Sequence, residues 1–243
     1  MSTVKNADRY SRLVDVCTGY GGRFNPGHLT LQLKAMRALL KEAQSSLQDV
    51  SQKRVALTGI TNERAKAYHE LERLVGQILG TMKASRVPAD KLASARYYTR
   101  LIIGVLKSRT DRQPVPSEDN EEQPAVTRGI KQQSYVAKAH NFMQLAHMIN
   151  QEVPSYMTTL AHLQPAALLE KAEALKALNE SWSQAKVALT NARVHRDTLF
   201  YRGPESVLSI ANAVKSYIRV EFGSRSEEVA QLSELSFTKQ KVR

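Results

Sequence analysis

Residues 54–58 read "RVALT" and residues 186–190 read "KVALT". In a chain rich in Ala, Leu and Val, one four-letter match is expected about once by chance. The word matters because the chain around it agrees at the same spacing of 132 residues. Downstream, Arg64 meets Arg196, Tyr68 meets Phe200, Val75 meets Val207, Ile78 meets Ile210 and Lys83 meets Lys215. Upstream, Tyr10 meets Phe142, Leu13 meets Leu145, Val16 meets Met148, Phe24 meets Tyr156 and Leu31 meets Leu163. No gap is needed from Tyr10 to Lys83. Beyond that point Leu92 pairs with Leu232 at a spacing of 140, which puts a short insertion after "EFG" in the second copy. The agreements predict an internal duplication.

Within the first copy a 4-3 spacing runs from Leu29 through Leu33, Met36, Leu40, Ala43, Leu47 and Val50 to Leu57, Tyr68, Leu71, Val75, Ile78 and Met82. Only Arg54, Thr61 and Arg64 interrupt this apolar seam. The second copy repeats it with Leu168, Ala172, Leu175, Trp182, Leu189, Phe200, Val207, Ile210 and Val214, and with Asn179, Lys186, Arg193 and Arg196 as polar members. Such spacing is the signature of long helices packed in a bundle. The expected fold is all-α: an elongated helical bundle built from two tandem copies of a helical unit, with pseudo-two-fold symmetry.

"YRGPES" at 201–206 must interrupt the second copy, because Gly203 suits a corner and Pro204 is tolerated only in the first turn of a helix. By the repeat, the first copy should bend or break near Glu70, leaving a helix from about 29 to 69 that is roughly 60 Å long. Short helices are expected at 5–18 and about 134–150. They are followed by corners at "GYGGRFNPG" (19–27) and "QEVPSYMTT" (151–159), and each copy should close with a medium helix and a small terminal element. Residues 1–107 form the first repeat and 132–243 the second. Residues 108–131, with three Pro, an acidic cluster and no apolar periodicity, read as the linker joining them.

The 243 residues carry 35 Lys and Arg against 23 Asp and Glu, a net charge of +12, which makes polyanions plausible partners. A single cysteine, Cys17, excludes an internal disulfide framework and fits a reducing, cytoplasmic compartment. The N-terminal stretch has no secretory apolar core, and no 18-residue apolar run is present, so neither signal peptide nor membrane association is expected.

"ALTNARVHRDTLFY" and "GPESVLSIANAVKSYIRVEFGSRSEEVAQLSELSF", within residues 188–237, resemble the C-terminal part of a family of uncharacterised bacterial proteins with a duplicated helical organisation. The features carrying the resemblance are the Arg196–Tyr201 turn region, Lys215 with Tyr217, "FGSRS", and the closing Leu235 and Phe237. Similarity to that family implies an all-helical duplicated fold. It brings no activity and no catalytic residues.

Candidate chemistry is sparse. Gly19, Gly21, Gly22 and Gly27 lack both the dinucleotide spacing and the P-loop ending, and read as a corner. His140 and His147 lie seven apart, whereas two zinc ligands on one helix usually stand four apart. Cys17 aligns with Ile149 and reads as a core residue. No catalytic residue, metal site, cofactor or small-molecule substrate is indicated. Two polar features stand out. Arg54 with Lys186, and Arg64 with Arg196, place cations in both seams. They read either as long stems whose charged heads reach the seam edge, or as a polar layer that fixes register or receives an anion. "RYYTRLIIGVLKSRTDR" (96–112) interleaves Arg96, Arg100, Lys107 and Arg109 with Tyr97 and Tyr98, as a nucleic-acid surface would, although Leu101, Ile102, Val105 and Leu106 also describe an ordinary buried face. The expected function is a non-enzymatic helical scaffold, assembly subunit or adaptor, with a protein partner or self-association. The alternative is a cytoplasmic nucleic-acid-associated protein using the basic helices and the Lys239, Lys241 and Arg243 tail.

Overall fold

The computed structural model describes residues 2–104 and 134–239. The linker expected at 108–131 lies outside the described residues, as do Lys107, Arg109, Lys241 and Arg243. All regular structure among the described residues is helical. The α-helices are α1 (Ser2–Gly19), α2 (Leu33–Ala84), α3 (Ala89–Ile103), α4 (Tyr135–Glu152), α5 (Pro165–Tyr201), α6 (Val207–Phe222) and α7 (Glu227–Gln231). Single 3-10 turns stand at Gly21–Arg23, Leu29–Leu31 and Ala161–Leu163. No helix among the described residues is long and apolar enough to cross a membrane.

Local chemistry explains the helix boundaries. α4, α6 and α7 begin behind Ser134, Ser206 and Ser226, whose hydroxyls accept from the N–H three residues on, at Ala137, Ser209 and Val229. α5 opens on Pro165, which suits the first helical position because its missing N–H would be unpaired there. Gln32 and Gln164, both extended at ψ 147° and 144°, separate a 3-10 turn from each long helix. Leu29 therefore lies outside α2, and it is exposed. At the second corner Gly203 takes φ +81°, a value that favours glycine, and Pro204 stands before the cap at Ser206 and so precedes the first turn of α6.

The break expected near Glu70 does not occur: α2 runs unbroken from Leu33 to Ala84. The positions matching Gly203 and Pro204 are Leu71 and Glu72, which keep every backbone donor and the apolar spacing, so nothing stops the helix. The medium helix expected after that break is therefore part of α2, and the element that follows is the 15-residue α3.

The chain divides into two compact units, Met1–Thr58 with Gln184–Arg243, and Gly59–Ser183. In the first, α1 packs on α6 around Tyr10, Leu13, Cys17, Met36, Phe200, Ile210, Val214 and Ile218. The same unit holds a small cluster of Val50, Leu189 and Ala192. Asn6, 1% exposed, holds the chain after α7. Its Nδ2 donates to the Thr238 carbonyl (2.9 Å) and its Oδ1 accepts from the Thr238 N–H (3.0 Å). Asn6→Ala would remove both bonds, and because Thr238 is exposed and its backbone groups can turn to water, the loss is expected to be about 1 kcal/mol. A urea midpoint that drops without a change in slope would show this, whereas an unchanged midpoint would mean the clasp contributes nothing.

In the second unit α3 packs against α4. Its core joins Tyr68, Leu71, Val75, Ile78 and Met82 of α2 with Ala95 and Ile102 of α3, Phe142, Leu145 and Ile149 of α4, and Leu168, Ala172 and Leu175 of α5. Burying each such Leu, Ile or Phe side chain contributes about 1.5–3 kcal/mol.

Candidate functional site

Three of the polar seam members, Thr61, Arg64 and Asn179, lead to one place in the Gly59–Ser183 unit. Arg64 is half-buried on α2, and its guanidinium carbon lies over the rings of Trp182 of α5 (4.1 Å to the ring centroid) and Tyr135 of α4 (4.6 Å). Trp182 Nε1 donates to Thr61 Oγ1 at 3.1 Å, so Thr61, the preceding polar member of the seam, anchors the ring that holds Arg64.

One turn further on, the Tyr68 ring stacks on Tyr135 at 4.3 Å. Its hydroxyl donates to the Tyr135 carbonyl (2.7 Å) and accepts from Asn179 Nδ2 (2.7 Å). Burial pushes the Tyr68 phenol up, opposed by the Asn179 hydrogen bond and the Arg64 charge. Asn179 Oδ1 is buried and finds no partner among the described residues. Lys138 Nζ lies 3.0 Å from Glu72 Oε1. Together Arg64, Ala65, Tyr68, His69, Glu72, Ser134, Tyr135 and Lys138 line a cleft of about 500 Å³.

The four seam cations fare differently. Arg54 and Lys186 are exposed, so neither charge is buried. Arg196 is half-buried and is held by its neighbour Asp197, which accepts from Arg196 Nε at 2.9 Å and from its terminal nitrogen at 2.6 Å. Arg64 has ring partners, and among the described residues no carboxylate within ion-pair distance. Of the basic-aromatic stretch, Arg96, Tyr97 and Arg100 are exposed on α3, whereas Tyr98 packs partly against the core. Lys107 and Arg109 lie outside the described residues.

His140 and His147 are exposed in a groove of about 580 Å³ lined by α4 and α5, where Glu173 and Glu180 also stand. No group of three or more His, Cys, Asp or Glu side chains among the described residues is placed to hold a metal ion. Gly21 takes φ +58° in the corner after α1, as a turn glycine does.

Cys17 is fully buried beside the α1 core, and burial pushes its thiol from 9.0 up to about 12. At pH 7 it is a protonated apolar packing group and no nucleophile. Between these two values the unfolded chain gives up the thiol proton and the folded chain keeps it. The associated stability is therefore present below pH 9 and is lost as pH rises toward 12. Stability is expected to fall by up to about 1.4 kcal/mol per pH unit above that onset. Tyr10, whose phenol is also raised by burial, adds to the loss from pH 10 upward. Cys17→Ala should flatten the decline between pH 9 and pH 10, measured by denaturant titration at each pH. An identical slope in both proteins would assign the loss elsewhere.

Sequence reasoning singled out Arg64 but not its partners. Trp182 and Tyr68 read as apolar seam members, and Tyr135 lies outside the seam. The available signal was two mismatches at the 132-residue spacing: Trp182 corresponds to Val50 and Asn179 to Leu47.

No family model, curated protein or solved structure matches the chain.

Proposed function

We propose that the chain is an internally duplicated helical protein that works by binding, as a scaffold, assembly subunit or adaptor, and not by catalysis. Several features support the duplication. The 3-10 turns at 29–31 and 161–163 and the starts of α2 and α5 at 33 and 165 share the 132-residue spacing. The pairs Tyr10 and Phe142, Leu13 and Leu145, Phe24 and Tyr156, and Met82 and Val214 are all buried. With copies at 1–107 and 132–243, each compact unit combines the beginning of one copy with the end of the other.

The observation carrying the binding role is the repeated word itself. Val55 is 70% exposed and Val187 56% exposed, each next to an exposed cation, Arg54 or Lys186, while Leu57 and Leu189 pack in the Val50 cluster. Single exposed valines are ordinary on protein surfaces. A cation followed by an exposed valine thus recurs on two helices, each an apolar point beside a charge that a protein partner or a second copy can contact. Sedimentation velocity over a concentration series tests the self-assembly form of this role. Association that weakens in a Val55→Asp, Val187→Asp double variant is expected, and a strict monomer at every concentration would remove that form.

The second reading, nucleic-acid association, is favoured by α3, where Tyr97 is 53% exposed between exposed Arg96 and Arg100. Binding to RNA or DNA should weaken linearly on a log-log plot against salt, and an Arg96→Ala, Arg100→Ala variant should reduce that slope. Lack of retention on nucleic acid at low salt would exclude it.

A further inference from the structure

We propose that the cleft beside Arg64 is a binding site for a small phosphate-bearing ligand, with the Arg64 guanidinium as its forked contact. The observation behind it is a cation whose counter-ion has been replaced by open space. Arg196, the matching residue in the other unit, is held by two short hydrogen bonds to Asp197. The position matching Asp197 is Ala65, and Ala65 lines the cleft. This comparison rests on the duplication proposed above; the contacts within the cleft do not.

Arg64 is also held ready for such a role. With the Trp182 ring centroid at 4.1 Å and that of Tyr135 at 4.6 Å from its central carbon, the guanidinium is restrained in position beside the cleft, and its N–H groups are the donors it offers there. Among the described residues no side chain or carbonyl accepts from them. A planar fork of this kind matches two oxygens of a phosphate, and charge assistance makes such bonds the strong ones.

The rest of the lining agrees in sign. Lys138 stands across the cleft, 12% exposed, and its ammonium carries three donors, only one of which is needed for the bond to Glu72. Glu72 is the sole carboxylate in the lining and is already engaged by Lys138. The Ser134 hydroxyl accepts from the Ala137 N–H, which leaves its proton for a ligand oxygen. His69 is exposed at the rim. At about 500 Å³ the cleft is larger than inorganic phosphate needs, so the ligand class is a phosphorylated small molecule.

The protein carries its own reporter. Trp182 is the only tryptophan in the sequence, and it lies against Arg64. Titrating the full chain with inorganic phosphate, pyrophosphate and acetate, at constant ionic strength set by chloride, should give a saturable change in tryptophan emission for phosphate and pyrophosphate. Acetate should be weaker. Ala65→Asp, which supplies the acid that Arg196 has, should weaken phosphate binding about tenfold or more while leaving the helical circular dichroism intact. Arg64→Gln should do the same, and Arg196→Gln should leave binding unchanged. A wild-type emission that does not saturate, an equal response to added chloride, or an Ala65→Asp protein that binds phosphate as the wild type does would each overturn the proposal. None of these outcomes depends on whether the chain self-assembles, so failure here and failure of the scaffold role are distinguishable.

Discussion

Phe142→Ala is expected to remove about 3–5 kcal/mol of folding stability. Phe142 projects from α4 into the larger core cluster with no exposed surface, beside Leu145, Ala146 and Ile149 of its own helix. Truncating it removes the transfer free energy of the ring and leaves a cavity that surrounding helices close only in part. Helical proteins of this size have total stabilities of about 5–15 kcal/mol, so the loss should be plain in a thermal or urea transition followed by circular dichroism. A change below about 1 kcal/mol would mean that the ring is not packed as described. The matching residue in the other unit offers a contrast. Tyr10 is equally buried, but its hydroxyl finds no partner among the described residues. Tyr10→Phe should therefore be neutral or stabilising, since it deletes a desolvated polar group without opening a cavity.

Glu72→Pro should cost a comparable amount, about 3 kcal/mol or more. It places in α2 a proline like Pro204, which lies in the break between α5 and α6, removing one backbone hydrogen bond and setting the proline ring against the preceding turn. Leu71, Val75, Ile78 and Met82 would then lose their common face in the core. Glu72 also pairs with Lys138, so Glu72→Ala is the necessary control. With one partner 40% exposed, that pair alone should account for no more than about 1 kcal/mol. A proline variant no less stable than the alanine control would mean that α2 tolerates a kink there and that its continuity carries little energy.

The unbroken α2 departs from the break that the sequence led one to expect near Glu70. The break was carried over from "YRGPES" by the repeat, although the local residues, Leu71 and Glu72, offered no reason for one. Where the 132-residue spacing and local chemistry disagreed, the backbone followed local chemistry, because Leu71 and Glu72 supply neither a missing donor nor a residue suited to a left-handed corner. Where the two agreed, the expectations held: α1 and α4 lie within one to three residues of their expected ends, and α5 ends at the corner before Gly203.

Helix content, core periodicity, the corners and the positions of unusual cations were determined by the sequence alone, since each depends on residues within a few turns of one another. The pairing of segments was decided by tertiary structure. Arg64 became distinctive only when α4 and α5 brought the Tyr135 and Trp182 rings against its guanidinium, and Arg196 became ordinary because Asp197 stands next to it. A charged side chain in a seam has no fixed meaning in the linear chain. Its role follows from whether the fold surrounds it with carboxylates, aromatic rings or water, and the desolvation energy that separates those cases arises only on packing.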